Sequence, residues 1–530
     1  MANSPAPETQ PVQPNRSKLA TKNAVVIVFS QLLSLLTAFL FRRYFIQVLG
    51  AELLGLNNIV VDLLNALNTG ELGLSSAVAF ALYAPLYRGE RQQVCEIVTL
   101  QGRVYRWVAR FILLASAVLL LFFPAIFGKV ELPLWYAYST FGVMLAGTLS
   151  TYYFNYRQVV FSSDQRGYVP VLCWSISRFV KFTLQIVFIL WAENPYIWWL
   201  IWEFSFAVLY VVLLELFIRR RYPWLKGVHE GIRSLSRKHP QIIRRTKQVL
   251  FHRISAMGLQ QGISLVVFGV LSVTLVTVYK NYLTVYTALC ALVSAVFAGI
   301  QGSIGNKIVE GKELGQSSAA VVQIFARIYT LRTLIVTMII CLMWVAMSSF
   351  VGLWVGREMI FPPVVFTFSL IYLFLVTNRT PDDFISAYGM YQDIWAPITE
   401  MCLSVGCSIL LGIRFGLAGV FAGVSVGLLL IVHIWKPYFL YTRGFAVPFT
   451  RYLPLLLHNI FMVALCVGFT YLFLRPDQPV SDVRSFLLLV AGRGAASVLI
   501  CLLVFVALSA PLRSILAQLM PEGLLKRRRS

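Results

Sequence analysis

The sequence predicts an all-α polytopic membrane protein with about fourteen transmembrane helices. Hydrophobic residues make up 58% of the 530 residues and charged residues only 13%, and the mean hydropathy is +0.75. These values lie far outside the range of soluble domains. Apolar runs close to the ~20 residues that cross ~30 Å of hydrocarbon recur along the whole chain. Because the runs lack the alternating pattern of a membrane barrel, they are predicted to be helices.

The predicted spans follow the apolar runs in chain order. They are 23–41, 53–86, 107–127, 134–156, 168–191, 196–218, 255–277, 281–304, 328–351, 359–378, 394–413, 415–436, 453–474 and 486–510. The stretch 53–86 is too long for one span and is interrupted between Asn65 and Gly73, which fits a tilted helix or a span followed by an interfacial turn. The spans 394–413 and 415–436 nearly touch, so we expect Gly416 and Gly419 to form a tight turn.

The basic segment 219–254 divides the spans into six before it and eight after it. This division predicts two pseudo-symmetric six-helix lobes followed by two C-terminal helices, and repeats of this kind are usual in transporters. The predicted domains are a disordered cytoplasmic tail at 1–22, an N-lobe at 23–218, a basic inter-lobe loop at 219–254, a C-lobe at 255–440, helices 13 and 14 at 441–512, and a basic cytoplasmic tail at 513–530.

The net charge of +23 follows this topology. With the N-terminus inside, most Lys and Arg residues lie in cytoplasmic segments, as the positive-inside rule requires, and both termini are expected in the cytoplasm. The stretch 219–253 holds eleven Lys and Arg residues against one Glu. This density suits the anionic lipid headgroups of the inner leaflet, so these lipids are an expected partner. Nucleic acid is not expected, because no recognition helix or aromatic-interleaved groove accompanies the charge.

Residues that could carry enzyme or metal chemistry show no suitable spacing. The eight cysteines are scattered, mostly inside apolar runs, and the five histidines are isolated. We find no metal-ligand cluster, no nucleophile elbow and no phosphate-cradling glycine loop. The chain is therefore not expected to be an enzyme or to hold a cofactor or a metal.

Polar residues within the spans carry the functional argument, because each is costly in hydrocarbon and tends to face a cavity or a partner. The clearest stripes lie on the second, fifth and eleventh spans, where polar residues recur at helical spacing on one face. A shorter stripe lies on the last span, and two adjacent arginines lie at the end of the first. The candidate substrate-binding residues are Arg42, Arg43, Asn58, Asp62, Asn65, Arg178, Lys181, Gln185, Glu400 and Arg493.

These residues also allow a structural interpretation. Asp62 or Glu400 could neutralise Arg178 or Lys181 in a buried pair. Arg42 and Arg332 lie close enough to helix ends to snorkel. For Arg178 and Lys181 the functional interpretation is favoured, because two like charges one turn apart repel each other.

A cavity lined by cations and amides suits a large, anionic, hydroxylated solute, such as a sugar linked to diphosphate. Guanidinium groups recognise phosphate with paired hydrogen bonds and keep their charge at physiological pH.

Three blocks of the chain resemble bacterial polysaccharide flippases of the O-antigen or exopolysaccharide type, members of the multidrug/oligosaccharidyl-lipid/polysaccharide (MOP) exporter superfamily. The blocks are "FLFRRYFIQVLGAELLGLNNIVVDLLNALNTGELGLSSAVAFALYAPLYRGE", "YKNYLTVYTALCALVSAVFAGIQGSIGNKI", and "LWVGREMIFPPVV" with "NRTPDDFISAYGMYQDIWAPITEMCLSVGCSILLGIRFGLAGVFAGVS". The resemblance covers roughly residues 20 to 445 and indicates the family, not a substrate.

The resemblance implies the MOP flippase fold and a function. A monomer in the bacterial cytoplasmic (inner) membrane would move a polyprenyl-diphosphate-linked oligosaccharide from the inner to the outer leaflet by alternating access, for cell-surface or exopolysaccharide synthesis. Polysaccharide polymerase and export machinery would be further partners. Arg43 falls on the family's arginine at the end of the first helix, and Arg42 is an additional neighbour. Where relatives have Thr-Asp in the seventh helix, this chain has Gly262 and Ile263, which puts a coupling cation there in doubt.

Two alternatives stay open at this stage. A cation-coupled small-molecule exporter of the same superfamily would have a cavity rich in carboxylates and aromatic residues. A membrane polymerase or ligase of lipid-linked sugars would need a large external loop with catalytic residues, whereas the predicted external loops are short.

Overall fold

The computed structural model describes residues 16–68, 74–128, 130–313, 318–388, 390, 392–393, 395–474, 480 and 482–519. Every regular element in this part of the chain is a helix, so the all-α prediction is confirmed. The α-helices are α1 (Arg16–Leu49), α2 (Ala51–Leu67), α3 (Leu74–Arg88), α4 (Arg91–Leu121), α5 (Phe123–Ile126), α6 (Leu134–Phe154), α7 (Val159–Ser163), α8 (Tyr168–Trp191), α9 (Pro195–Arg221), α10 (Ile232–Lys238), α11 (Pro240–Val270), α12 (Val273–Glu313), α13 (Ser318–Trp354), α14 (Pro363–Thr377), α15 (Thr380–Ala387), α16 (Trp395–Leu428), α17 (Lys436–Phe439), α18 (Leu453–Phe473), α19 (Val483–Leu489), α20 (Ala495–Leu508) and α21 (Ala510–Leu519).

Shorter helices of other types join some of these elements. The 3₁₀ helices are Asn155–Gln158, Arg357–Met359 and Phe449–Arg451. The π-helices are Leu429–Trp435, Leu440–Gly444 and Val490–Gly494.

Nine helical segments within the described residues are long and apolar enough to cross a membrane, which confirms a polytopic membrane protein. They are Arg91–Leu121, Tyr168–Trp191, Pro195–Arg221, Val273–Phe297, Ala320–Trp354, Pro363–Ala387, Trp395–Gly444, Phe449–Phe473 and Val483–Leu508. The fifth predicted span, 168–191, has the same bounds as α8. The count of about fourteen spans stays a prediction.

The described chain forms two compact units. One comprises the residues up to Gly50 together with Leu67–Arg253, and the other comprises Ala51–Ala66 together with the residues from Ile254 onward. The sequence analysis placed residues 51–66 in the N-lobe, whereas they pack within the second unit. Gly55 allows α2 to approach α12 closely, because a Cβ at this position would overlap the carbonyl group of Val273 on α12. Thr277 of α12 also donates a hydrogen bond to the Ala51 carbonyl at 2.6 Å.

The overlong second span is two helices in the structure. α2 ends at Leu67 and α3 begins at Leu74, and residues 69–73, which include Glu71, lie outside the described residues. The single long helix is therefore wrong, and the two helices belong to different compact units. The predicted interfacial turn falls on residues 69–73 and lies outside the described residues.

Several helices extend beyond the predicted apolar runs. α1 begins at Arg16, inside the predicted tail, and α11 begins at Pro240, inside the predicted inter-lobe loop. Residues 1–15 and 520–530 of the predicted tails lie outside the described residues. The discrepancy has a simple reason: polarity marks where a helix leaves the hydrocarbon, whereas Lys, Arg and Gln continue a helix readily in water.

The predicted turn at Gly416 is confirmed. α16 folds back there, with φ 61° and ψ −143°, a backbone conformation that favours glycine. Gly419 lies beyond the turn and has another role, because a Cβ there would overlap the Leu411 carbonyl of the first arm. A Cβ at Gly423 or Gly427 would likewise overlap the first arm of α16, at Ser408 or Ser404. The two arms therefore pack through small residues, as is common in membrane helices.

We predict that Gly423→Ala destabilises the protein by about 1–3 kcal/mol, because the added methyl group would overlap the backbone at Ser408. The matched control is Gly406→Ala on the same element, where a Cβ meets nothing within 4 Å. Thermal unfolding in detergent micelles measures the difference. Equal melting temperatures for the two variants would contradict the proposed close packing.

Candidate functional site

The predicted stripe on α8 forms an ion pair with α9 in the first unit. Lys181 Nζ lies 3.0 Å from Glu203 Oε1 and 3.1 Å from Oε2. Gln185, one turn further along α8, donates hydrogen bonds of 3.1 Å to Glu203 Oε2 and to the Trp199 carbonyl. The Lys181 and Glu203 side chains are only 10% and 18% exposed. Lys181 is therefore neutralised by Glu203, a residue outside the predicted set.

Arg178 lies one turn before Lys181 on α8 and is half-buried. Its guanidinium carbon is 5.2 Å from the centre of the Phe182 ring, and Lys181 Nζ is 4.7 Å from the same ring. Both cations thus contact one aromatic face, an arrangement that stabilises a desolvated positive charge. In the described part of the chain, no carboxylate lies within 4.0 Å of the Arg178 guanidinium. The stripe therefore holds two cations and one anion.

α1 brings two more predicted cations to this region of the first unit. α1 packs along α8, and the ring of Phe41 lies 4.8 Å from the Phe182 ring. Arg42 follows Phe41 directly and is half-buried, whereas Arg43 is exposed. We call the four residues Arg42, Arg43, Arg178 and Lys181 the cationic cluster. Within this cluster, Glu203 pairs with Lys181.

The predicted stripe on α2 contains an ion pair of the second unit. Asp62 is 2% exposed, and its carboxylate oxygens lie 2.9 and 3.0 Å from Lys280 Nζ on α12. Asn58 and Asn65 on the same helix are half-buried. The sequence analysis missed Lys280, because it lies just before the predicted eighth span. A lysine so close to an apolar run was a usable signal, since its charge needs a partner there.

Glu400 belongs to a larger ionic group of the second unit, which the sequence analysis did not predict. Arg379 Nη2 lies 3.2 and 3.3 Å from the two Glu400 oxygens, and Arg379 Nε lies 2.6 Å from Asp382 Oδ2. Lys436 Nζ lies 2.6 Å from Asp382 Oδ1 and 3.8 Å from Glu400 Oε2. Two carboxylates and two cations thus form a ring. Its members come from α15, α16, α17 and the residue before α15.

Arg332 adds a further pair to this region. Its side chain is 5% exposed, and it forms a 2.6 Å ion pair with Asp383 and donates a 3.0 Å hydrogen bond to the Thr377 carbonyl. The expectation that Arg332 snorkels to the membrane surface is therefore wrong. Arg332 is buried because a carboxylate on α15 reaches it, and α15 lies in a segment that was interpreted as a connection between spans. Together with the ring, the group has three cations and three carboxylates.

The remaining predicted polar residues of the second unit contact helix backbones. Ser404 and Ser408, on the stripe of Glu400, donate to the carbonyls of Val424 and Val420 across the two arms of α16, at 3.5 and 3.0 Å. Arg493 is half-buried in the π-helix Val490–Gly494. Ser497 donates to the Gly494 carbonyl at 2.7 Å. The serines therefore have a packing role, and Arg493 lies on a widened turn of a kind that is frequent at functional sites.

An apolar cavity of about 210 Å³ lies among α13, α14 and α18 of the second unit. Its lining includes Trp344, Phe374 and Val467. A cavity with so few polar atoms suits a hydrocarbon chain and not a sugar or a phosphate. Among the described residues, no group of three or more His, Cys, Asp or Glu side chains could hold a metal ion.

No family model matches the chain, and no curated protein matches its sequence. Solved structures do match. The lipid II flippase MurJ in an inward closed conformation superposes with a TM-score of 0.61 at 14% identity, over 92% of this chain and 99% of MurJ. The chain therefore shares the fold of MurJ.

The Vibrio cholerae MATE transporter VcmN also matches the chain in fold. A mutant of VcmN matches with a TM-score of 0.52 at 15% identity, over 81% of this chain and 99% of VcmN. VcmN in its bent form matches with a TM-score of 0.50 at 14% identity, over 81% and 98%. These structural neighbours are a flippase and a transporter.

We predict that Arg332 and Asp383 are strongly coupled. Arg332→Met or Asp383→Asn alone should cost about 3–5 kcal/mol of unfolding free energy, because each leaves a buried charge without its partner. The double variant should cost less than the sum of the two. A double-mutant cycle in denaturant measures the coupling.

The control for this cycle is the exposed pair Arg88 and Glu90, which are 3.8 Å apart and 68% and 43% exposed. Its coupling should stay below about 1 kcal/mol. If the two cycles gave the same coupling energy, the buried pair would not stabilise the second unit as described.

Proposed function

We propose that the chain is a flippase that moves a polyprenyl-diphosphate-linked oligosaccharide from the inner to the outer leaflet of a bacterial cytoplasmic membrane by alternating access. The stripe on α8, where the described residues place two cations against the one carboxylate Glu203, is the single observation that carries this proposal. The finer expectations belong to the same proposal: a monomer with two six-helix lobes, two further helices, cytoplasmic termini, and a role in cell-surface or exopolysaccharide synthesis with polymerase and export machinery as partners.

The charge of the cluster favours an anionic substrate. Glu203 neutralises Lys181, so Arg178 keeps its charge without a carboxylate partner in the described part of the chain. A cation near the membrane centre costs roughly 2.5–3.5 kcal/mol on insertion scales. An unpaired cation with this energetic cost is expected where it binds an anionic ligand. A diphosphate suits this position, because it accepts paired hydrogen bonds from a guanidinium group.

Arg42 and Arg43 extend the same preference along α1. The contact between the Phe41 and Phe182 rings joins α1 to the part of α8 that carries Arg178. A diphosphate that leaves Arg178 therefore has further guanidinium groups along α1. The resemblance to polysaccharide flippases supports the role of Arg43. The match to MurJ supports the fold alone.

The cation-coupled exporter is the main alternative, and the ion pairs count against it. Such an exporter needs a carboxylate that can accept a soluble cation. Asp62 pairs with Lys280, and Glu400 pairs with Arg379 and Lys436, so the protein's own side chains already neutralise both carboxylates. The polymerase or ligase alternative has less support, since the structural neighbours are transporters.

We predict that Arg178→Gln lowers flipping at least about tenfold, because one charged hydrogen bond contributes about 1.5–3 kcal/mol. Purified protein is reconstituted in proteoliposomes with a polyprenyl-diphosphate-linked oligosaccharide, and accessibility of the sugar in the outer leaflet is followed over time. Arg43→Gln tests the second position in the same assay.

The matched control is the double variant Arg157→Gln, Glu215→Gln, which removes an ion pair of the first unit outside the cationic cluster without changing the net charge. It should retain most of the flipping activity if Arg178 is the residue that contacts the anion. Full activity of both Arg178→Gln and Arg43→Gln would refute the assigned roles. Export of a small cationic compound, with no flipping of any lipid-linked sugar tested, would favour the drug-exporter alternative.

A further inference from the structure

The predicted inter-lobe loop is docked on α4 in the first unit. The backbone of Val228 is held from both sides: its N–H donates to Thr99 Oγ1 at 3.0 Å, and its carbonyl accepts from Arg103 Nη2 at 3.2 Å. The Cys95 thiol donates to the Trp224 carbonyl at 3.6 Å. Three residues on successive turns of α4 therefore hold the chain that follows α9.

An ionic contact holds the far end of this segment. Glu96 of α4 lies 3.5 Å from Lys238 Nζ and 3.5 Å from His239 Nε2. Lys238 also forms a 2.6 Å ion pair with Glu230, and this hydrogen bond holds the pKa of the Glu230 carboxyl below its usual range. His239 is 4% exposed and Glu96 is 8% exposed. Lys238 therefore pairs with both Glu96 and Glu230, and His239 lies beside Glu96.

Apolar anchors complete the docking. Leu225, Leu235 and Ile242 are buried, and so is Tyr222, whose hydroxyl donates to Asp164 Oδ2 at 2.6 Å. We call residues 222–242 the docked segment. Its anchors point inward, so its charged side chains are left on the outer surface.

The exposed cations of this region have a common placement. Two lie in the last turn of α9 and three lie on the docked segment, and none has a carboxylate partner within the described residues. These five residues, which we call the cationic platform, are Arg220, Arg221, Lys226, Arg233 and Arg237.

We propose that the cationic platform binds the headgroups of anionic phospholipids in the leaflet where α9 ends. α9 is one of the membrane-spanning segments and ends at Arg221, so the platform begins where the chain leaves the hydrocarbon. Anionic headgroups occupy that layer, and basic residues near such a surface are attracted to it at short range. The docking on α4 holds the cations in place, which lowers the entropy lost on binding.

The platform binds membrane lipid independently of transport. The cationic cluster on α1 and α8 contacts the transported diphosphate in the proposed function, whereas the platform lies on the chain after α9. Lipid binding at the platform can therefore be measured without a flipping assay.

The test uses the full-length protein in nanodiscs of phosphatidylcholine, with and without phosphatidylglycerol. Hydrogen–deuterium exchange follows residues 222–242, and native mass spectrometry counts the phosphatidylglycerol molecules retained. We expect phosphatidylglycerol to slow exchange in the docked segment and to be retained preferentially. High salt should abolish both effects, because it screens charges at the surface.

The key variant is Lys226→Gln, Arg233→Gln, Arg237→Gln. It should lose at least about tenfold in affinity for phosphatidylglycerol, because each cation near the surface adds to the attraction. The matched control is Arg357→Gln, Arg414→Gln, Arg484→Gln, which removes the same charge from exposed positions predicted to lie on the other side of the membrane. Equal loss of lipid in both triple variants would overturn the proposal.

A second variant separates docking from charge. Glu96→Gln keeps all five platform cations but weakens the contact with Lys238 and His239. We expect faster exchange of the docked segment and weaker retention of phosphatidylglycerol. Unchanged lipid retention in Glu96→Gln would overturn the role of docking. Protection by a soluble acidic polypeptide, with none by phosphatidylglycerol, would overturn the lipid as partner.

Discussion

A charged side chain inside a membrane must be paired with an opposite charge or a polar group, and the rest of this structure depends on that constraint. The cost of removing an ion from water is several kcal/mol, and an ion pair offsets it only when its geometry is good. In the second unit the constraint is met completely around Glu400, where three cations face three carboxylates at short distances. Asp62 and Lys280 meet it as a single pair, which binds α2 to α12.

The first unit meets the same constraint only in part. Lys181 and Glu203 neutralise each other, while Arg178 is stabilised by the face of Phe182. A group with equal numbers of positive and negative charges stabilises the fold, whereas an excess of one sign can bind a ligand of the opposite sign. The contrast between the two units therefore separates residues that hold the fold together from those proposed to bind the substrate.

The sequence predicted some local features of the apolar runs and missed the polar segments between them. The bounds of α8 and the turn at Gly416 follow from local features, namely an apolar run and a glycine between two of them. The short helix α15 was missed because its sequence is polar, although its carboxylates pair with Arg332 and Arg379. Glu203 was missed as well, even though a carboxylate within an apolar run carries the same signal as Arg178.

The sequence by itself determined that the chain is helical, that it lies in a membrane, and which costly side chains lie within its spans, because each of these depends on composition and spacing along one helix. Only the tertiary structure decided which charged side chains form ion pairs with each other. Glu203 reaches Lys181 across α8 and α9, and Lys280 reaches Asp62 although 218 positions separate them in the chain. Helical periodicity defines the face on which a side chain lies, but the partner on that face comes from another helix.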